Sequence, residues 1–267
     1  MKKNKLLLLL LTLILFSCNN EEEFIPEQQI PEEQPHQAGP QAGVVITFDD
    51  DYVDEWFVVN PILQPYDWKA TFFVTKFNQL STDKIQKLKD LKSNGHEIAA
   101  HGLNHVNAPT FIASNGSTAY LEQEIFPMVS LMNANGLTST SFAYPYGARN
   151  TISDPILLNE FQIIRGTTYG QLYPASHNCY YNNNRLVFGL GIDSSYPHFS
   201  ISYFISLLEY AKENNKIVIF YSHKPVQSSQ ADYQTEYKTL IEICKYIKNN
   251  NMKFYKISEL YNLKNNI

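Results

Sequence analysis

Cysteine is scarce, three in 267 residues, so no disulfide framework holds this chain together. Basic residues are in deficit: 21 Lys and Arg stand against 26 Asp and Glu, a formal charge of −5. That balance offers nothing to grip a phosphate backbone, and nucleic acid is excluded as a partner. The apolar run at 6–16 falls short of the ~20 residues that a membrane span requires. What the chain does have is core-forming material. With 44% hydrophobic and 18% charged residues it can bury a sizeable core, which excludes wholesale disorder. The length suits one or two domains and fits a single α/β barrel of about 250 residues. The 18 Tyr and 16 Phe supply amphipathic ring surface that suits sugar contacts as well as ordinary cores.

The N-terminus reads as an address rather than as part of a fold. Lys2, Lys3 and Lys5 precede the apolar run, and residues 1–17 have the order of a signal peptide. Leu15-Phe16-Ser17-Cys18 resembles a bacterial lipobox, which implies cleavage before Cys18 and lipid attachment there. A lipidated Cys18 anchors a protein to a membrane without spanning it. The expected location is the bacterial cell envelope, at the outer membrane and exposed on the surface. Residues 18–43 carry Glu21, Glu22, Glu23, Glu27, Glu32 and Glu33, four Pro and no Lys or Arg, so they are expected to form a solvated tether. The acidic start of this stretch also resembles an export signal of surface lipoproteins. Beyond it, residues 44–267 hold 18 basic and 20 acidic side chains, so any electrostatics at a site must be local.

Residues 44–267 alternate short apolar runs with longer amphipathic stretches. Strands are predicted at 44–48, 70–74, 97–100, 141–144, 163–167, 186–192, 217–221 and 253–256. Helices are predicted near 54–63, 82–94, 117–136, 153–160, 201–214, 232–250 and 258–264. Such alternation argues for a parallel sheet with crossover helices. Seven or eight units in this length favour a distorted (β/α) barrel over an open sheet. In such a barrel the C-terminal ends of the strands carry the chemistry.

Three predicted strand ends are rich in groups that bind metals or move protons: Asp49-Asp50-Asp51, His101 to His105, and His223. Two histidines four residues apart can share a face of a helical turn and reach one ion, although alone they are more often surface or core residues. A carboxylate from another strand end would complete a two-His, one-carboxylate set that leaves room for water and substrate. Three adjacent acids after an apolar strand repel unless a cation or proton relieves them; otherwise they are a solvated turn. Neighbouring residues on an extended segment point to opposite sides, which suggests that one Asp ligates while the next takes a proton from water. His223 has the ordinary pKa of a general acid near neutrality.

Together these pieces resemble the polysaccharide deacetylases of the NodB homology type, carbohydrate esterase family four. Thr47-Phe48-Asp49-Asp50-Asp51 is similar to the family's Thr-Phe-Asp-Asp-Gly, and His101-Gly102-Leu103-Asn104-His105 to its His-Ser/Thr-x-x-His. Residues 142–147 and 219–223 are similar to its third and fifth motifs. The resemblance implies one divalent metal, usually zinc, with cobalt or nickel as alternatives, held by Asp50, His101 and His105. It implies Asp49 as base, His223 as acid and the backbone N–H of Tyr146 as an oxyanion donor. The implied reaction removes N-acetyl groups from an amino-sugar polysaccharide or oligosaccharide and releases acetate. An O-acetyl esterase of the xylan type, or a weakened homologue that only binds carbohydrate, are the alternatives.

Four positions depart from the family pattern. Asp51 replaces Gly, and Gly102 replaces a hydroxyl residue. Ala143 stands where an Arg normally orients the base, a task then expected of Lys224 or Arg149. The fourth-motif Trp is missing, since Trp56 and Trp68 lie near the first two strands. Asp193 either orients His223 or is an ordinary loop acid, and Tyr169 and Tyr173 are candidates to line the acetyl pocket. Cys179 and Cys244 are open to two readings, a bridge or two buried thiols.

Overall fold

A computed structural model describes residues 41–264. The signal segment, Cys18 and nearly all of the tether lie outside the described residues. Seven parallel strands close a barrel: β1 (Gly43–Asp50), β2 (Thr71–Val74), β3 (Glu97–Ala100), β4 (Ser141–Ala143), β5 (Ile163–Thr168), β6 (Leu186–Gly191) and β7 (Ile217–Ser222). Closure is made by β7 against β1, with Val44 opposite Val218 and Phe48 opposite Ser222. After β7 come the short parallel pair β8 (Lys224–Val226) and β9 (Gln234–Glu236), and then β10 (Lys253–Tyr255), which pairs with β1 from outside the ring. Among the described residues no helix is long and apolar enough to cross a membrane.

Strand alternation sorts the core into two clusters. Val45, Phe73, Ala99, Ala143, Ile163, Val187, Ile217 and Ile219 pack together. Residues from every barrel strand meet in this way only inside the ring. The intervening Val44, Ile46, Phe48, Phe72, Val74, Ile98 and Phe142 pack with the helices outside it. Around the ring run α1 (Val53–Leu63), α2 (Thr82–Ser93), α3 (Ala108–Asn115), α4 (Ser117–Tyr120), α5 (Phe126–Ala134), α6 (Ser153–Glu160), α7 (Ile201–Glu213) and α8 (Tyr237–Asn249). The last helix, α9 (Ile257–Lys264), sends Ile257 and Leu260 into the interior cluster and plugs the end where strands begin. Cys179 and Cys244 are both buried free thiols, so the bridge is absent.

Three helical expectations change. Residues 117–136 are not one helix: a π turn (Leu121–Ile125) separates α4 from α5. Pro127 accounts for the break, since it lacks the N–H and its ring clashes with the preceding turn. Helix α3 was not anticipated, although Asn107 caps it by accepting from the Thr110 N–H at 3.1 Å and Pro109 occupies its first turn. The helix expected from 232 starts only at Tyr237, because Gln234–Glu236 pairs with Lys224–Val226.

The π turn positions the loop after β3. Buried Glu124 accepts from the Asn104 backbone N–H at 2.8 Å and from the Asn104 side chain at 2.6 Å. The Leu103 N–H donates to the Glu124 carbonyl at 3.1 Å, and the Thr75 hydroxyl donates to the Gly102 carbonyl at 2.8 Å. These bonds steady a loop that lacks a side-chain hydroxyl at Gly102. Glu124→Ala leaves two Asn104 donors without their acceptor. The expected destabilisation is about 1–3 kcal/mol, read as a fall in Tm of about 2–4 °C per kcal/mol. An unchanged melting curve would show that the loop stands without Glu124.

Candidate active site

The interior face of the barrel carries a register of polar groups toward the C-terminal ends of its strands. Asp49 on β1, Arg165 on β5, Tyr221 on β7 and the flanking His101 and His223 continue the odd-numbered alternation of the interior residues. Asp50 does not belong to that series, and regular alternation would send it outward. It has φ 86°, in the left-handed region that disfavours residues with a side chain. The reversal ends the strand, and Asp49 and Asp50 both line one cleft. The Thr75 N–H holds the turn by donating to the Asp50 carbonyl at 3.0 Å.

His101 and His105 do not sit on a helical turn, contrary to the expectation from their spacing. They flank an irregular loop in which Gly102 has φ 76° and His105 φ 58°. The loop folds back so that the two rings lie 5.0 Å apart. Nε2 of His105 is 3.1 Å from Asp50 Oδ1, and Nε2 of His101 is 3.6 Å from it. Nδ1 of His101 faces the Ala143 carbonyl at 2.8 Å, which leaves its Nε2 turned to the cleft. One ligand atom from each of the three residues lies within 4.8 Å of the others, a set that could hold a metal ion. Burial opposes ionisation of Asp50, but hydrogen bonds from His101 and His105 hold its pKa far below the usual carboxylate range. A charged carboxylate beside two imidazole nitrogens fits a divalent cation.

Asp49 has a different partner. Its Oδ2 accepts a hydrogen bond from Nη2 of Arg165, which is fully buried. The guanidinium lies 5.4 Å from the Phe73 ring and 5.1 Å from the Tyr221 ring. Neither Lys224 nor Arg149, the expected substitutes, reaches the base. Lys224 pairs with Glu55 at 3.0 Å, and Arg149 is bound to Asp154. Arg165 is the register partner of Ala143 across the β4–β5 ladder, and its guanidinium reaches Asp49 on β1 across the barrel interior. Its sequence signal was a lone Arg inside the apolar run Ile163-Ile164-Arg165-Gly166.

His223 stands across the cleft. Its Nδ1 is 2.5 Å from Oδ2 of buried Asp193, whose Oδ1 accepts from the Thr235 hydroxyl at 2.6 Å. The Trp56 indole N–H donates to the His223 carbonyl at 2.9 Å, while Trp68 donates to Asn60. Burial would lower the pKa of His223, but the Asp193 hydrogen bond and charge prevail and raise it. Thr235 was not visible in the sequence, because nothing local marks a threonine that braces an aspartate. Asp51 is only partly exposed, and its carbonyl accepts from Lys84 at 3.3 Å.

The cleft has a volume of about 350 Å³. Tyr146 borders it with φ 61°, and Gly147 follows with φ 63°. A Cβ on Gly147 would fall 2.1 Å from Thr167 Oγ1, so this turn requires glycine. Tyr169 lines the cleft, but it is 86% exposed, and Tyr173 is also exposed. Tyr169 belongs to the rim rather than to an enclosed acetyl pocket, and Tyr173 does not line the cleft. The deeper rings are Tyr196 and Tyr221, which the sequence reading passed over.

A family model described as Polysaccharide deacetylase matches residues 36–159. No curated protein matches the chain. Among solved structures, the Xyl-CE4 domain of a multidomain xylanase from the hindgut metagenome of Trinervitermes trinervoides is 21% identical. It has a TM-score of 0.54, with 84% of this chain and 92% of that chain covered. A family 4 acetyl xylan esterase from Clostridium thermocellum, in complex with a cobalt ion, is 20% identical with a TM-score of 0.52, covering 83% and 91%. The chitin deacetylase of the fungal pathogen Colletotrichum lindemuthianum is 16% identical with a TM-score of 0.54, covering 83% and 88%. These structural likenesses establish the fold. Residues 36–159 thus match the polysaccharide deacetylase family by sequence, and the described barrel shares the fold of these solved structures.

Proposed function

We propose that the protein is a metal-dependent hydrolase that removes N-acetyl groups from an amino-sugar polysaccharide or oligosaccharide and releases acetate. The observation that carries this reading is the placement of Asp49–Arg165 and His223–Asp193 in one cleft beside Asp50, His101 and His105. Asp50, His101 and His105 are the proposed ligands of one divalent ion, zinc first, with cobalt or nickel as alternatives. Such an ion, when bound, polarises the acetyl carbonyl and makes water acidic enough for a carboxylate base. The cobalt complex of the acetyl xylan esterase supports a divalent ion by analogy, and the likeness to the chitin deacetylase supports the removal of N-acetyl groups.

The chain's own groups divide the remaining work. Asp49, held by Arg165, takes the proton of the attacking water. The Tyr146 N–H, on the turn that Gly147 permits, donates to the oxygen that gains charge as the carbonyl carbon becomes tetrahedral. His223 protonates the leaving nitrogen. An amide nitrogen leaves only once protonated, and Asp193 favours the imidazolium by raising the His223 pKa. An O-acetyl esterase would use the same groups, and the likeness to acetyl xylan esterase supports that second reading. A purely binding role loses one of its two motives, since Arg165 supplies the cation absent at position 143, while the fourth-motif Trp is still missing. The proposed location, at the bacterial envelope through lipid on Cys18, rests on the sequence alone.

Asp50→Ala or His101→Ala is expected to abolish metal content and acetate release together. Asp49→Asn is expected to keep metal and lose activity by about 10²–10⁴-fold. Elemental analysis with an acetate-release screen over acetylated glycans reads both, and full activity in Asp49→Asn would refute the assigned base. A free amine in the products identifies N-deacetylation, and its absence identifies the esterase reading. Asp193→Asn removes what raises the His223 pKa, so the acid form is lost at lower pH. The alkaline limb of the kcat/KM–pH profile should move to lower pH; an unmoved limb would assign that limb to another group.

A further inference from the structure

A second cavity, of about 320 Å³, lies where β2 and β3 begin, whereas the cleft lies where strands end. At about 30 Å³ per water it has room for about ten waters, the lower end of the range of ligand pockets. Its buried floor is made by Asn60 of α1 and by Trp68 and His96, which shortly precede β2 and β3. Gln64 and Asn94 are exposed at its rim.

The polar groups of the floor fix one another. The Ala70 N–H donates to His96 Nδ1 at 3.1 Å, so the neutral ring carries its hydrogen on Nε2 and donates it to Asn60 Oδ1 at 2.9 Å. Burial, aided by the charges of Lys69 and Lys256, keeps that ring neutral by pushing its pKa down to about 3. The Trp68 indole can only donate, and its N–H goes to the same Asn60 oxygen at 3.2 Å. The Trp68 and His96 rings lie 4.7 Å apart and hold both donors in place. Oδ1 of Asn60 is thereby saturated, and the amide cannot flip, because its NH₂ would then face two N–H groups. Asn60 is only 9% exposed, and its Nδ2 has no partner among the described residues. A fixed amide donor is thus what the floor has to offer the cavity.

An apolar ligand would leave that donor buried and unpaired. A cation would find no free acceptor at the floor. An anion would find no free cation, since Lys69 Nζ donates to the Asn94 carbonyl at 2.7 Å, and it would meet Asp67, which pairs with Lys248 at 3.0 Å. We propose that this cavity binds a small neutral polyol, no larger than one sugar ring, with a hydroxyl oxygen accepting from Asn60 Nδ2. Its other hydroxyls both donate and accept, which suits the side-chain amides of Gln64 and Asn94. The proposal does not rest on the deacetylase reading.

The chain has two tryptophans, and each reports on one cavity: the Trp56 indole N–H is bonded to the His223 carbonyl, and that of Trp68 to Asn60. In nitrogen-labelled protein their two indole N–H signals are told apart by the loss of one in Trp56→Phe. The test is titration with glycerol, xylitol and D-glucose as neutral probes, and with D-glucosamine and D-glucuronate as charged ones. At least one neutral probe is expected to shift the Trp68 signal saturably, with Trp56 unmoved or following a different Kd. The charged probes should bind there about tenfold more weakly or not at all. Asn60→Asp keeps the acceptor for Trp68 and His96 but removes the donor, and should weaken binding about fivefold or more. A Trp68 signal that no neutral probe shifts would overturn the proposal, as would one that follows Trp56 with the same Kd. Equal affinity for the charged probes, or undiminished binding by Asn60→Asp, would also overturn it. Should Asn60→Asp fail to fold, the selectivity of the unaltered protein decides.

Discussion

The site depends on the reversal of the chain at Asp50. Two carboxylates in sequence on an extended strand face opposite ways, and a barrel would place one of them among its outer helices. The left-handed backbone at Asp50 brings both into the cleft, and they meet different company there. Asp49 lies against a buried guanidinium, and Asp50 against two imidazoles. One carboxylate is thereby committed to a protein cation and the other remains free for an ion from solution. Without that separation, two like charges at adjacent positions would compete for one counter-charge and share a proton.

The second constraint is burial. Arg165 has no exposed surface, and its Nε and Nη1 find no partner among the described residues. Leaving such donors bare is costly, and the pair with Asp49 is weak evidence of net stability, since desolvation offsets most of the attraction. Its value lies in position. The Phe73 and Tyr221 rings confine the guanidinium, so the carboxylate it holds has little freedom to swing toward the histidines. The opposite wall repeats the device with signs reversed: buried Asp193 is fixed by the Thr235 hydroxyl and in turn fixes His223. Each proton-transfer candidate is thus oriented by a buried partner of opposite charge, Arg165 from β5 across the barrel for Asp49 and Asp193 from the end of adjacent β6 for His223.

Much of this was legible in the sequence because period-two patterning and strand-end chemistry are local. The eight expected strands are all present, and Asp49, Asp50, His101, His105 and His223 were visible as polar groups after apolar runs. What was not legible depends on register. No sequence rule brings Arg165 opposite Ala143, since that pairing is set by how β4 and β5 align. Lys224 and Arg149 were attractive because they are near in sequence to site residues, yet each is taken by a nearer acid. The spacing of His101 and His105 suggested a helix. Two left-handed residues achieve the same convergence in a loop, and the buried Glu124 that steadies it belongs to a π turn twenty positions later.

The division of labour between the adjacent carboxylates is tested most directly by crystallography of the zinc-loaded protein, with anomalous scattering to locate the ion. The account predicts an ion bound by Asp50, His101 and His105, with Asp49 off the metal and still paired to Arg165. An ion ligated by Asp49, or one placed away from the two histidines, would contradict it.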